Sequence, residues 1–119
     1  AGTAPYNPAN GAEDIATGTL ISITFSESMD PSTFTTNTSN TSCSGTFQVS
    51  TDQNFGTNSC VQMESSPSAS NGNKTFTVDP DGKLADDETL YYVRITIQVT
   101  DASGNNLSAQ ILISFTTIE

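Results

Sequence analysis

The sequence predicts an all-β protein: an antiparallel β-sandwich of about seven strands with one disulfide, in a single domain over residues 1–119. Three observations carry this. Apolar and polar residues alternate with period two in several short runs. Turn signals separate those runs at regular spacing. Thr, Ser and Asn supply 19, 16 and 10 of the 119 residues, and these types favour strands and turns over long helices. A chain of this length buries roughly two thirds of its unfolded surface, enough for one core.

An opening strand is expected near Asp14–Thr17, after the turn Pro8-Ala9-Asn10-Gly11. Leu20–Phe25 follows, with Ile21, Ile23 and Phe25 inward and Ser22 and Thr24 outward. Asp30-Pro31 suits a short helical turn, Asp30 as N-cap and Pro31 at the first helical position. Met29 would plug the end of the core. Shorter strands are expected at Thr46–Ser50, Cys60–Glu64 and Thr75–Val78. Asn71-Gly72 is a hairpin-type turn and Asp81-Gly82 a second turn.

Tyr91–Thr100 has the clearest alternation: Tyr91, Val93, Ile95, Ile97 and Val99 face one way, Tyr92 and Arg94 the other. Ser103-Gly104-Asn105 joins it to Gln110–Thr117, which places Ile111, Ile113 and Phe115 on one face. Asp101 and Asn105 would fix that turn by side-chain bonds to its backbone, and Gly104 would supply a positive φ. Phe25, Phe76, Tyr91 and Phe115 are the large inward groups. The polar stretches Thr35–Ser44 and Ser65–Asn73 read as loops.

Charge excludes several function classes. Three basic residues stand against 13 acidic ones, a formal net charge of −10. Lys74, Lys83 and Arg94 cannot build a phosphate-binding face, so no nucleic-acid partner is expected. No run of apolar residues is long enough for a membrane-spanning helix, so no membrane insertion is expected. Histidine is absent, and with it the commonest general base and transition-metal ligand. Neither a nucleophile elbow nor a phosphate-cradling loop occurs, and no enzyme activity is expected. A carboxylate-pair glycosidase would need two acids about 5–10 Å apart in a cleft, for which a small sandwich leaves little room.

Cys43 and Cys60 are 17 positions apart with no CxxC spacing. The pair reads as a structural disulfide of an exported protein; the alternative is two buried thiols in a cytosolic one. The N-terminal stretch AGTAPYNPANG has neither a charged region nor an apolar one. It reads as the start of a processed chain, or of a domain excised from a longer surface protein. Asn37, Asn40 and Asn73 begin N-glycosylation sequons and are read as loop formers.

The residues also resemble a known family. Ser22-Ile23-Thr24-Phe25-Ser26-Glu27-Ser28-Met29-Asp30-Pro31-Ser32-Thr33 resembles a conserved segment of the bacterial Ig-like domains of the SbsA-like type, the Big_5 family. Pro8-Ala9-Asn10-Gly11, Phe76-Thr77-Val78-Asp79-Pro80, Leu84-Ala85 and Thr89-Leu90-Tyr91-Tyr92-Val93 are similar to further segments of that pattern, in order. So are Asp101-Ala102-Ser103-Gly104-Asn105 and Ser114-Phe115-Thr116-Thr117. The Cys43–Cys60 region departs from it. The resemblance implies an Ig-like sandwich, found in tandem in bacterial surface and secreted proteins as a spacer, stalk or adhesive module. It brings no catalytic residues.

Two candidate sites remain. In an Ig topology Glu27, Asp30, Asp101 and Asn105 would meet at one pole, and Asp79, Asp81 and Asp86 would lie at the other. Carboxylates from neighbouring modules could then share Ca²⁺, which needs six to eight oxygen ligands; no other cofactor is implied. Tyr92, on the outward phase, is the candidate for stacking on a sugar or a partner. The expected role is a non-catalytic structural, spacer or adhesive module, extracellular or on the cell surface, whose first partners are neighbouring domains of the same chain. The alternatives are a carbohydrate- or host-protein-binding module using the loops Thr33–Ser44 and Asp52–Ser59, and an accessory domain of a secreted hydrolase.

Overall fold

A computed structural model describes residues 3–82, 84, 88–107 and 109–118. Among the described residues eight strands form: β1 Thr3–Asn7, β2 Ala12–Ile15, β3 Ile21–Phe25, β4 Phe47–Ser50, β5 Ser68–Ser70, β6 Thr75–Val78, β7 Leu90–Ile95 and β8 Ile111–Thr117. They make two four-stranded sheets, β1-β3-β6-β5 and β2-β8-β7-β4. The sandwich and its disulfide are as the sequence predicts.

The two inward faces meet in one core. Phe25, Phe76, Tyr91 and Phe115 all point into it, and Met29 closes one end at 1% exposure. Phe34, from a segment read as a loop, stacks on Phe76 at 3.7 Å between ring centroids and meets Phe25 edge-on at 5.6 Å. Aromatic pairs of this kind add to the stabilisation from burial alone. Asp30 Oδ1 accepts the Ser32 N–H at 3.0 Å and caps the 3₁₀ turn Pro31–Thr33, with Pro31 in its first turn.

Several elements differ from the sequence reading, each for a local reason. No strand forms at Cys60–Glu64; only single bridges join Ser50 to Cys60 and Met63 to Pro80. Its backbone N–H groups go to unrelated acceptors: Val61 to Val49 O, Met63 to Asn37 O and Glu64 to Asp79 O. Cys60 N–H goes to Thr41 O; a ladder needs one continuous partner, and this segment meets three separate stretches. The strand expected over Tyr91–Thr100 ends at Ile95. There Thr96 N–H turns to Thr46 O and Ile97 O accepts Asn106 Nδ2. Ile97 is therefore 47% exposed rather than inward, while Val99 is buried again.

The opening strand sits at Ala12–Ile15 and runs parallel to β8, with a register shift and Asp14 at φ 56°. Not every pair is antiparallel, then. β1 and β5 carry no alternating apolar signal that would predict a strand. β5 is an edge strand, exposed along its length within a polar stretch.

The segment around the disulfide does a second job. Thr46 and Phe47 N–H both donate to Thr35 O, at 3.0 and 2.9 Å, and Val61 N–H donates to Val49 O at 2.7 Å. Thr36 Oγ1 donates to Phe47 O. These bonds occupy the outer edge of β4, which would otherwise be open to another chain. Cys43–Cys60 ties the two flanks together. Gly45 is required for the close approach: a Cβ there would lie 2.5 Å from both Thr35 O and Thr36 Cα.

Two outcomes follow. Reducing the disulfide removes a loop constraint of roughly 3 kcal/mol; thermal melts should show a lower Tm with the strand signal of the native far-ultraviolet spectrum retained. Gly45→Ala should destabilise by about 1–3 kcal/mol, as overpacking does, measured by denaturant unfolding. An unchanged midpoint would mean the two backbones can separate freely.

Candidate functional site

The strands run between two poles. At the first, the turn after β3 meets the turn before β8. Met29 bridges Asp101, and Asp30 N–H donates to Thr100 O at 2.9 Å. Asp101 organises its own loop: Oδ1 accepts Ser103 N–H and Asn105 N–H, both at 2.9 Å, and Oδ2 accepts Asn105 Nδ2 at 3.2 Å. Gly104 takes φ 91°. These bonds, led by Asn105, hold the Asp101 carboxyl below its ordinary value of 3.8, and Glu27 adds a side-chain hydrogen bond.

Glu27, Ser28, Asp101, Ala102, Ser103 and Asn105 line an open pocket of about 390 Å³. Thus Glu27, Asp101 and Asn105 come together. Asp30 lies alongside, its carboxylate engaged by Ser32.

The second pole holds Asp79 and Asp81; Asp86 lies outside the described residues. Glu64, which the sequence reading did not include, joins them. Its N–H donates to Asp79 O at 2.8 Å. A side-chain hydrogen bond with Asp79, then the nearby charges of Asp79 and Asp81, push its carboxyl above the ordinary 4.5. Asp81 also accepts from Gln62 Nε2 at 3.2 Å. Nothing in the sequence marks Glu64, because its partners are brought to it by the bridge from Met63 to Pro80. Among the described residues, no three His, Cys, Asp or Glu side chains converge as a metal-binding group. Each pole offers acidic oxygens and short backbone turns.

Tyr92 lies on the outward phase of β7, half-buried. Beside it Arg94 is clamped: Nε and Nη2 donate to Gln48 Oε1 at 3.1 and 2.6 Å, and its guanidinium sits 4.2 Å from the centre of the Phe55 ring. Gln48 is 4% exposed, and its Nε2 donates to Gly45 O and Cys43 O. Every polar atom of that amide has a partner. Both candidate loops are therefore pinned: Asp52 caps the turn of the second through Asn54 and Gly56 N–H, and the disulfide joins it to the first.

The bacterial Ig-like domain family, Big_5, matches residues 4–117, and the chain belongs to that family. The search of curated proteins returned no match. Among solved structures, the S-layer protein SbsC superposes with a TM-score of 0.59 at 21% identity, covering 91% of this chain and 13% of that one. The N-terminal part of SbsC gives 0.62 at 20% identity, covering 91% and 22%. CopC from Methylosinus trichosporium gives 0.65 at 15% identity, covering 98% and 92%. The chain thus spans a small fraction of SbsC and nearly the whole of CopC.

The two perturbed carboxyls act on stability with opposite sign. Asp101 has a lowered folded value, so its contribution is present above its ordinary 3.8 and lost as pH falls through the folded value. Glu64 has a raised folded value, so its ionised form costs stability above that value, and the cost fades as pH falls toward 4.5. Glu64→Gln should raise Tm at neutral pH and give no gain in acid below 4.5. Asp101→Ala should lower Tm at neutral pH and flatten the acid loss. Melts across pH check both; a Glu64→Gln gain that persisted in acid would assign it to packing instead.

Proposed function

We propose that this bacterial Ig-like domain is a non-catalytic module of an exported protein, cell-surface or secreted, and serves as a rigid spacer that carries load between neighbouring domains. The path of the chain carries this reading. β1 starts beside Phe25, at the first pole, and β8 ends at the second. The molecule between them measures 42 × 26 × 22 Å. A polypeptide passing through this fold therefore enters at one pole and leaves at the other.

The arrangement also suits tension. β2 lies parallel to β8 and is bonded to it along its length, from Gly11 N–H to Ser114 O at 2.7 Å through Ile118 N–H to Ile15 O at 2.9 Å. Pulling the two ends apart loads those bonds in shear, so several must break together. The absence of histidine from the sequence and the lack of catalytic residues in the family pattern agree with a mechanical role. Calcium enters this reading only at a junction between modules. There the Glu27 and Asp101 oxygens of one pole could face the Glu64, Asp79 and Asp81 oxygens of the next domain's other pole, enough donors together for a hard cation.

Force spectroscopy on the oxidised domain, held by its two ends, tests the load-bearing role. One cooperative unfolding event is expected. Reduction should lengthen the released contour by about 60 Å, the extended span of the 17-residue separation. Gradual extension without a rupture peak would refute the mechanical reading.

A further inference from the structure

The charge on Arg94 has no counterion among the described residues. It is the chain's single arginine, in a sequence with 13 acidic residues. Its acceptor is a neutral amide instead: Nε and Nη2 both donate to Gln48 Oε1, at 3.1 and 2.6 Å. Gln48 is itself held by the Gly45 and Cys43 carbonyls, which fixes the orientation of the guanidinium. The Phe55 ring centre lies 4.2 Å from the guanidinium carbon. Phe55 takes φ 51° there, a conformation uncommon for a bulky residue, and strain of this kind gathers at functional sites. Asp52, the acid nearest to Phe55 in sequence, commits both oxygens to the Asn54 and Gly56 N–H groups.

A guanidinium carries five N–H groups in a planar fork. Gln48 takes the edge formed by Nε and Nη2. The other edge, Nη1 with the second hydrogen of Nη2, has no acceptor among the described residues. That edge matches a carboxylate through two parallel bonds. The sheet positions around it hold no competing acid. Register places Gln48 on one side of Arg94 and Leu112, 44% exposed, on the other. Tyr92 follows on the same face, about 7 Å along the strand, with Ser114 opposite it. Arg94 and Tyr92 are both half-buried. The acids on the strands of this sheet, Glu13 and Asp14 of β2, lie at the level of Phe115–Thr117, toward the far end of β8 from Leu112.

We propose that Arg94 and Tyr92 form a binding site for a carboxylate-bearing sugar, the hexuronate residue of an acidic polysaccharide. The carboxylate takes the open edge of the Arg94 fork, the ring lies toward Tyr92, and Ser114 offers a hydroxyl. The fold favours this ligand over an acidic peptide. β7 and β8 are interior strands of their sheet, and the outer edge of β4 is occupied by bonds with Thr35 and Val61, so a peptide finds no strand edge to join here. A sugar residue needs none: it brings its own hydroxyls and an apolar ring face, which suits an aromatic with a polar tip. The formal net charge of −10 opposes any anion at a distance. In physiological salt the screening length is about 8 Å, so remote acids are damped while a fork in contact is not. On an open sheet face with a single fork the affinity is low, with a Kd of about 1 mM. The site lies on the side of the body and leaves both poles to neighbouring domains.

Two-dimensional NMR of the oxidised domain, at about pH 7 where a uronate is ionised and in about 0.15 M salt, reads the site directly. Trigalacturonate is the probe. Saturable shifts of the Arg94 Nε–H and of the Tyr92 and Ser114 amides are expected. The fully methyl-esterified trisaccharide, which has no charge, should bind about tenfold more weakly, as loss of a charge-assisted contact implies. Arg94→Lys keeps a cation and a donor for Gln48 Oε1 but has no fork; it should weaken binding several-fold, as should Tyr92→Ala. Melts of both variants establish that they are folded, and the comparison of probes depends on neither. No shift up to about 20 mM trigalacturonate would overturn the site, and so would an equal response to the methyl ester. Unchanged affinity in Arg94→Lys would place the contact elsewhere. Acetate or triglutamate binding as tightly as trigalacturonate would assign the fork to carboxylates in general or to an acidic peptide, and overturn the saccharide.

Discussion

Everything in this molecule depends on the contact between two sheets that are each too thin to stand alone. An isolated four-stranded sheet with one apolar face exposes that face to water; two such sheets remove both faces at once. Here the seam is aromatic. Phe25, Phe34 and Phe76 cluster on one side, and Tyr91 stacks with Phe115 at 5.6 Å on the other. Met29 and Met63, at 1% and 0% exposure, fill irregular space at the margins, a task their flexible side chains suit. Apolar residues are 34% of the chain, and the alternation of the strands concentrates them at this one seam.

With the core secured, the outer surfaces are free to take separate tasks. β4 is an edge strand and would be the natural place for unwanted pairing. The stretches on either side of β4 occupy that edge with backbone bonds, and Phe55 lies on Arg94 beside Gln48. The disulfide joins the stretches on either side of β4. β7 and β8 are left bare beside it.

The acidic residues behave in two ways at the poles. At the first, Asp101 spends its oxygens on the Ser103 and Asn105 backbone N–H groups and the Asn105 side chain, so its charge stabilises a turn and its carboxyl is held below the ordinary value. At the second, the Asp79 carboxylate lies against Glu64, and ionisation of Glu64 works against folding. Both loops shape the ends of a rod-like body, and the parallel pair β2–β8 ties the entering chain to the leaving one. That combination is the basis of the load-carrying role proposed above.

The sequence by itself determined the parts governed by local rules. Strand alternation identified β3, β4, β6, β7 and β8 and the inward aromatics, because a period of two is set by backbone geometry at each residue. The cap at Asp30, the turn at Gly104 and the Asp101–Asn105 bonds were legible because their partners are two to four residues apart. The placement of Glu27 near Asp101 followed from topology, once the family resemblance supplied it. Only the tertiary structure decided what depends on partners far along the chain. β1 and β5 exist because β3 and β6 offer them edges, not because of their own side chains. Cys60–Glu64 alternates like a strand and is none, since its N–H groups find acceptors on three separate stretches of chain. Phe34 enters the core because Phe76 leaves room for it, and Glu64 meets Asp79 through a single bridge. Long-range hydrogen bonding and shape fit are collective properties, and no local pattern encodes them.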